Sequence, residues 1–137
     1  MNRDCRVTFF QVKNDGEKRE RIIRLAEEYF EKKEPLLIRL PHEKALEYVD
    51  LLLWRTPQES FLPHVIKDEP CKDFIVLTTT DKNPNAARSV LNLTPQPLPS
   101  TFLKIYELED LGSTHKHHSA QERYKAYKAA GCAIITL

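Results

Sequence analysis

The alternation of strand-like and helix-like segments in the first half of the chain most limits its fold. Residues 5–12, CRVTFFQV, are rich in β-branched and aromatic residues, which is typical of a strand. Apolar residues then recur at helical spacing over residues 14–34, and the same order is repeated by a strand at 35–40 and an amphipathic helix at 42–54. Strand–helix–strand units of this kind predict a largely parallel sheet with helices on both faces.

The second half of the chain continues this alternation after a stretch of separate strands. The predicted elements are strands at 74–80, 87–93 and 101–109, a helix at 114–130 and a last strand at 132–137. Prolines in TPQPLPS, residues 94–100, exclude regular structure there. We therefore expect an α/β fold, a single domain over residues 1–137, with a parallel or mixed sheet that is Rossmann-like but has no nucleotide site.

Charge and cysteine content limit the function classes. The net charge of +1 draws the whole molecule neither to nucleic acid nor to a membrane, so any electrostatic binding has to come from a local patch. The three cysteines are far apart and form no C-x-x-C motif, which favours free thiols in a reducing compartment. No apolar run of about 18 residues occurs, and Asp4 and Arg6 interrupt the first segment. These features predict a cytoplasmic protein without a membrane span.

An α/β sheet invites a nucleotide-binding interpretation, but the residues that such a site needs are missing. The chain has three glycines and no Gly-rich loop that would let backbone N–H groups approach a pyrophosphate. The first strand-to-helix turn instead carries Asp15 and Glu17, which repel phosphate. No nucleophile motif such as G-x-S-x-G occurs. These absences favour a non-enzymatic protein without a cofactor.

The segment HKHH is the strongest metal candidate in the sequence. It brings His115, His117 and His118 together at the predicted start of the last helix. Zinc sites recruit Cys, His or carboxylates at defined spacing, and here neither an acid nor a cysteine lies beside the histidines. We interpret the cluster as a solvated, partly basic helix entrance and expect no metal.

The last helix, which contains QERYKAYKAAG, concentrates bases and aromatic rings. Spacings of four, three and four residues give one shared face. Its members are His117, Gln121, Tyr124 and Lys128, flanked by Arg123 and Lys125. This face would be a positive strip that contains an aromatic ring. The alternative is that Ala120, Tyr127 and Ala130 form a core stripe and the charges around it are only solvated.

A second unusual segment is LLLWRTPQESFLPH. Trp54 ends a predicted helix, and residues 56–60 have the pattern of a capping box that opens a short turn before Pro63. Large apolar residues such as Trp54 and Phe61 in a short connection either fold back as a lid on the core or remain exposed for a partner. The sequence pattern leaves both possibilities open.

These two segments together resemble the chi subunit family of the bacterial DNA polymerase III holoenzyme. LLLWRTPQESFLPH and the later ERYKAYKAAG carry the resemblance, and the order of strands and helices extends it over essentially the whole chain. The resemblance implies an α/β accessory subunit that binds no nucleotide and catalyses no reaction. It also implies two protein partners, which are the psi subunit of the clamp loader and the acidic, Phe-terminated tail of single-stranded DNA-binding protein (SSB).

The resemblance assigns roles to residues of both segments. It implies that Tyr124 and Lys125 receive the SSB tail, helped by Arg123 and Lys128. Family members usually carry a base where this chain has Gln121. We expect His117 to compensate in part, so that tail binding strengthens as the pH falls. The psi-binding residues implied in the same way are Trp54, Phe61 and Pro63.

Two other function classes remain as alternatives. The basic last helix could bind single-stranded nucleic acid directly, although a net charge of +1 and few clustered bases argue against a phosphate-tracking surface. The carboxyl edge of the sheet could also hold an enzyme site that uses the histidine cluster and a metal. We expect nucleic acid to be contacted only indirectly, through SSB.

Overall fold

A computed structural model describes residues 4–55 and 62–137, and these contain seven strands and three helices. The helices are α1 (Asp15–Lys32), α2 (Glu43–Arg55) and α3 (Thr114–Ala129). The strands are β1 (Arg6–Val12), β2 (Leu36–Arg39), β3 (Val65–Ile66), β4 (Ile75–Thr78), β5 (Ser89–Asn92), β6 (Lys104–Asp110) and β7 (Ala133–Thr136). Every predicted helix and strand is confirmed within a few residues. The predicted capping box at 56–60 lies outside the described residues.

The strands form one sheet in the order β3-β4-β2-β5-β6-β1-β7. Each of the six strand pairings in the described residues is parallel, which confirms the predicted α/β class. Strand β1 lies between β6 and the edge strand β7, so that Val7 is opposite both Ile105 and Ile134. The two-residue edge strand β3 was not predicted, because two residues are too short for a periodic pattern.

Helices cover both faces of the sheet. Helices α1 and α2 bury residues such as Ile22 and Leu53 against Ile38 and Leu77 on one face. Helix α3 packs on the other face, where Ala120 and Tyr127 join a cluster that also contains Val7, Phe9 and Ile105. Alternate residues of a strand point to opposite faces, so each strand supplies both cores. No helix among the described residues is long and apolar enough to cross a membrane.

The first turn of α1 is closed by its own side chains. The Asn14 side chain accepts a hydrogen bond from the Glu17 N–H (2.9 Å), and Glu17 Oε1 accepts one from the Lys13 N–H (2.8 Å). Asp15 adds a further negative charge to this turn. Two acids at the positive end of the helix dipole compensate it internally. This is the position where nucleotide-binding α/β folds hold a pyrophosphate.

Candidate functional site

Helix α3 divides into a buried side and an exposed side. Its N-cap is Ser113, whose Oγ accepts a hydrogen bond from the Lys116 N–H (3.3 Å), and its buried residues are Ala120, Arg123 and Tyr127. The expected core stripe is therefore confirmed at Ala120 and Tyr127. It is wrong at Ala130, which is exposed because the helix ends there and Gly131 turns the chain into β7 with φ 86°.

Arg123 takes the place in the buried stripe that an apolar residue would normally occupy. Its Nε donates to Glu107 Oε1 at 2.9 Å, and its Nη1 donates to Ser119 Oγ at 2.8 Å. Glu107, on β6, is completely buried. The prediction that Arg123 flanks the exposed strip as a surface base is wrong, because its charge is turned inward and paired with Glu107.

Glu107 is the centre of a hydrogen-bond network under α3. Its Oε2 accepts from Tyr127 OH (2.5 Å) and from Asn92 Nδ2 (2.7 Å), in addition to the Arg123 bond on Oε1. The Tyr127 hydroxyl in turn accepts from the Leu98 N–H at 3.0 Å. The network thus joins α3 to β5, β6 and the proline-rich segment that follows β5.

Burial dominates the electrostatics of this network. Burial raises the pKa of Glu107, while the Arg123 charge and the hydrogen bonds from Tyr127 and Asn92 oppose the shift. Burial also raises the pKa of Tyr127, and the neighbouring Glu107 charge raises it further. Every oxygen of Glu107 has a donor, which is the condition under which a buried ion pair is tolerated. These contacts give the buried side of α3 a structural role.

The exposed side of α3 forms an open concavity of about 560 Å³ against the edge of the sheet. We call it the α3 groove. Its lining comprises Phe9 and Gln11 of β1, Glu109 of β6, Thr136 of β7, and Gln121, Tyr124, Lys125 and Lys128 of α3. Four of the six residues predicted from sequence for this helix therefore lie together. Arg123 is on the opposite, buried side, and His117 lies next to the groove without lining it.

Tyr124 forms the aromatic wall of the α3 groove. Its ring is 39% exposed, and its centroid lies 5.7 Å from that of the buried Phe9 at an interplanar angle of 49°. Contact with a buried ring holds one face of Tyr124, while its other surface remains open to solvent. The groove thus offers an apolar surface that is held in place by the core.

Lysines lie beside this aromatic wall. Lys125 and Lys128 are exposed, and the Lys125 Nζ reaches Glu122 Oε1 only at 3.5 Å. Glu109 is the one acid that lines the groove in the part of the chain that the structure describes, and its Oε1 accepts a hydrogen bond from Gln11 Nε2 at 2.9 Å. An apolar notch with two cations at its rim can bind an acidic peptide that has an apolar side chain.

His117 lies beside Glu109, the acid that lines the α3 groove. Its Nε2 lies 3.3 Å from Gln121 Nε2, and its Nδ1 lies 3.5 Å from Glu109 Oε2 without the geometry of a hydrogen bond. His117 therefore lies against the acid of the groove, Glu109, and not beside its lysines. This arrangement limits the compensation that was expected from His117.

The three histidines of HKHH lie in different surroundings. His117 faces Glu109, His118 is mostly exposed with its Nε2 3.8 Å from Glu122 Oε1, and His115 lies by a separate cleft near Lys18. Across residues 4–55 and 62–137, no three His, Cys, Asp or Glu side chains are placed to share a metal ion.

The second predicted surface lies at the end of α2. Trp54 is 41% exposed, and its ring centroid is 4.6 Å from that of His64. The buried His64 has Nδ1 2.7 Å from the Leu62 carbonyl oxygen and Nε2 2.7 Å from Asp50 Oδ1. This histidine ties the segment after α2 back onto the helix. Pro63 is exposed beside it, and Phe61 lies outside the described residues.

Sequence reasoning missed two further apolar residues on this surface. Tyr48 and Leu51 are each 48% exposed and precede Trp54 at intervals of three residues on α2. Residues three apart lie near each other on a helix surface, so the three form an apolar patch outside the core stripe. Their spacing outside the stripe was the signal that could have identified them. The lid alternative concerned Trp54 and Phe61; Trp54 is 41% exposed, and Phe61 lies outside the described residues.

Comparison with known proteins identifies a family. The model of the family described as DNA polymerase III chi subunit, HolC, matches residues 5–135, which include every helix and strand described above except the last residue of β7. A comparison with curated proteins gives no match.

Proposed function

Since the chain belongs to the DNA polymerase III chi subunit family, which has an accessory role in DNA replication, we propose that it links the clamp loader to SSB without catalysing a reaction. Two separate surfaces serve the two partners in this proposal. The α3 groove receives the acidic tail of SSB, and the Trp54 surface receives the psi subunit. Such a protein works in the cytoplasm.

The observation that carries the tail proposal is the α3 groove with Tyr124 held against Phe9. The SSB tail is acidic and ends in an apolar ring and a free carboxylate, so its receptor needs an apolar notch and nearby cations. Tyr124 and Phe9 supply the notch. Lys125 and Lys128 supply exposed cations, of which Lys125 has its Nζ 3.5 Å from the exposed Glu122 Oε1.

The position of the charges favours one direction for the tail in the groove. Glu109 repels acids at the β6 side, whereas Lys125 and Lys128 attract them at the α3 side. The acidic run should therefore follow the lysines. Gln121 in place of a base keeps a hydrogen-bond donor next to Tyr124 but provides no charge, so the tail is bound with fewer ionic contacts.

The psi proposal rests on the exposed apolar patch of α2. Trp54 and Pro63 lie at the surface, and Tyr48 and Leu51 extend the patch along the helix. Binding energy at protein interfaces concentrates in a few aromatic anchors of this kind. Phe61, from the same segment, completes the proposed set.

Direct binding of single-stranded nucleic acid is the weaker candidate. Arg123 was one of the bases that such a surface would use, and it is buried in an ion pair with Glu107. The bases left on the exposed part of α3 are Lys116, Lys125 and Lys128. Proteins that track phosphates neutralise more charges than these three can.

A peptide titration tests the tail proposal. A fluorescent peptide of the SSB tail should bind the full chain at roughly micromolar strength, about −8 kcal/mol. The same peptide without its terminal Phe should lose about 1.5–3 kcal/mol, because the buried ring is gone. Equal binding of both peptides would mean that α3 is only a nonspecific basic surface.

A pull-down tests the psi proposal independently. Trp54→Ala and Phe61→Ala should abolish capture of the psi subunit, while the melting temperature remains nearly unchanged. The control is Tyr124→Ala, which should be captured normally. A large loss of stability in Phe61→Ala would indicate that this residue is a lid on the core and not a partner contact.

A further inference from the structure

Two of the three cysteines lie side by side where β1 and β7 begin. Cys5 directly precedes β1 and Cys132 directly precedes β7, and both are buried free thiols. The two strands pair in parallel with Arg6 opposite Ala133, so the cysteines, one position earlier, are also opposite each other. The Ala133 N–H donates to the Cys5 carbonyl oxygen at 2.9 Å, which continues the pairing to this position. The fold thus brings together two thiols that are far apart in the sequence.

The spacing of Cys5 and Cys132 suits a covalent bridge. Both belong to the core beneath α3, together with Val7 and Tyr127, so their side chains point to the same face of the sheet. Neighbouring strands lie about 4.8 Å apart, and a disulfide joins Cα atoms that are about 4.4–6.8 Å apart. The pair can therefore be bridged without a large movement of either strand.

Cys71 provides a comparison within the same chain. It lies between β3 and β4, at the opposite edge of the sheet from β7, and is less buried than Cys5 and Cys132. Four strand spacings separate β4 from β1, which amounts to roughly 19 Å at about 4.8 Å each. A disulfide cannot span this distance, so the fold selects one pair among the three thiols.

We propose that Cys5 and Cys132 form a redox modification site, which a peroxide converts to a reversible disulfide. Cys132 reacts first, because it is 8% exposed, whereas Cys5 is 0% exposed. It also precedes an edge strand that is exposed at three of its four residues. Local opening of such a strand admits a small oxidant.

The reaction consumes one peroxide. The Cys132 sulfur attacks a peroxide oxygen and breaks the O–O bond, which gives a sulfenic acid and one water. The Cys5 sulfur then attacks the Cys132 sulfur, and the displaced hydroxyl group leaves with the Cys5 proton as a second water. The two thiols lose two electrons and two hydrogens in total, and the peroxide gains them.

The surroundings of Cys5 fit its role in the second step. Burial, followed by a hydrogen bond and a charge interaction with Cys132, raises the pKa of the Cys5 thiol to about 12. Cys5 is thereby protected from direct oxidation, which requires the thiolate. Two of these three causes come from the Cys132 thiol and are lost once its sulfur is oxidised. Cys5 is then easier to deprotonate.

The bridge would fasten β7 and the end of α3 to β1. The Cys132 N–H donates to the Tyr127 carbonyl oxygen at 3.1 Å, and Thr136 of the α3 groove follows on β7. A crosslink between residues 5 and 132 also closes a long loop, which restricts the unfolded chain. Oxidation should therefore stabilise the fold.

Mass spectrometry of the full chain tests the bridge. The folded chain is treated with hydrogen peroxide and then unfolded in the presence of N-ethylmaleimide, which alkylates the remaining thiols. We expect a linked Cys5–Cys132 peptide in at least about tenfold excess over any bridge to Cys71. Prior reduction with dithiothreitol should restore alkylation of all three cysteines. The bridged chain should melt at least about 5 °C higher than the reduced chain.

Two controls make the test specific. Cys71→Ser should form the bridge and show the same rise in melting temperature, whereas Cys132→Ser should show neither. Peroxide treatment in urea needs no variant, and the unfolded chain should favour bridges to Cys71 because these close shorter loops. The proposal would be overturned by Cys5 and Cys132 that stay unbridged in the folded chain, or by the same mixture of bridges with and without urea. Neither the SSB tail nor psi takes part, so this test is independent of the proposed function.

Discussion

The two sides of α3 use the same residue types for opposite purposes. Tyr127 is 2% exposed and its hydroxyl donates a hydrogen bond to Glu107, whereas Tyr124, three residues earlier, is 39% exposed and packs on Phe9. Arg123 is paired inside the protein, whereas Lys125 is exposed. The position of each residue around the helix, relative to Glu107 on β6, decides whether it stabilises the fold or is available for binding.

The largest expected effect is a loss of stability on the buried side of α3. Glu107→Gln leaves the buried Arg123 charge unpaired, so it should lower the free energy of unfolding by about 3–5 kcal/mol. Urea denaturation measures this loss. Glu109→Gln, two residues along the same strand, is the matched control and should cost less than about 1 kcal/mol. Similar losses in both variants would remove the distinction between the two sides.

Tyr127→Phe and Tyr124→Phe each remove one hydroxyl oxygen, so together they compare the stability of the buried and exposed sides of α3. Tyr127→Phe removes the donor to Glu107 and the acceptor of the Leu98 N–H, and should cost about 1.5–3 kcal/mol of unfolding free energy. Tyr124→Phe should change this free energy by less than about 0.5 kcal/mol, because its hydroxyl lies on the exposed side. If Tyr124→Phe were the more destabilised variant in urea, the assignment of the two sides would be wrong.

Truncation of the groove wall should affect binding more than stability. Tyr124→Ala should weaken SSB-tail binding by about 1.5–3 kcal/mol, since the ring forms the notch. Fluorescence anisotropy with the tail peptide measures the affinity. Tyr48→Ala removes another exposed tyrosine, from α2, and should leave tail binding unchanged while weakening psi capture. Weaker tail binding in both variants would contradict two separate surfaces.

The exposed lysines should contribute less to tail binding than Tyr124 does. Lys125→Ala should weaken tail binding by roughly 0.5–1 kcal/mol at low salt and by less at high salt, because exposed charges are screened. Lys116→Ala, in the first turn of α3 and outside the lining of the groove, is the control and should have no effect on tail binding. Titrations at two salt concentrations check both statements, and a salt-independent loss would argue against an ionic role for Lys125.

The smallest expected effect concerns His117. Its Nδ1 lies 3.5 Å from Glu109 Oε2 and it does not line the α3 groove, so His117→Gln should change tail binding by less than about threefold. Fluorescence anisotropy with the tail peptide measures this change. A loss as large as that of Tyr124→Ala would contradict the position of His117 outside the groove.

Local patterns predicted most of the fold because the periodicity of a strand or a helix depends only on residues that are near each other in sequence. The buried network was missed for the opposite reason. Glu107 and Arg123 are 16 residues apart and meet only when α3 packs on β6 in one register. Period-two alternation from Ile105 does place Glu107 on the core side of β6, and this was the available signal for a buried acid. The groove likewise depends on Phe9, which lies more than a hundred residues from Tyr124.

The most direct test of the division of α3 into a buried structural side and an exposed binding side is to map the SSB-tail peptide on the full chain by NMR chemical-shift perturbation. We expect the shifted amides to cluster at Phe9, Gln121, Tyr124, Lys125, Lys128 and Thr136. The signals of Lys18 and Thr94, which line a separate cleft at the start of α3, and of Tyr48 and Leu51 on α2, should remain in place. Perturbations centred on the cleft or on α2 with an unshifted groove would contradict the assignment of the exposed side of α3 as the tail receptor.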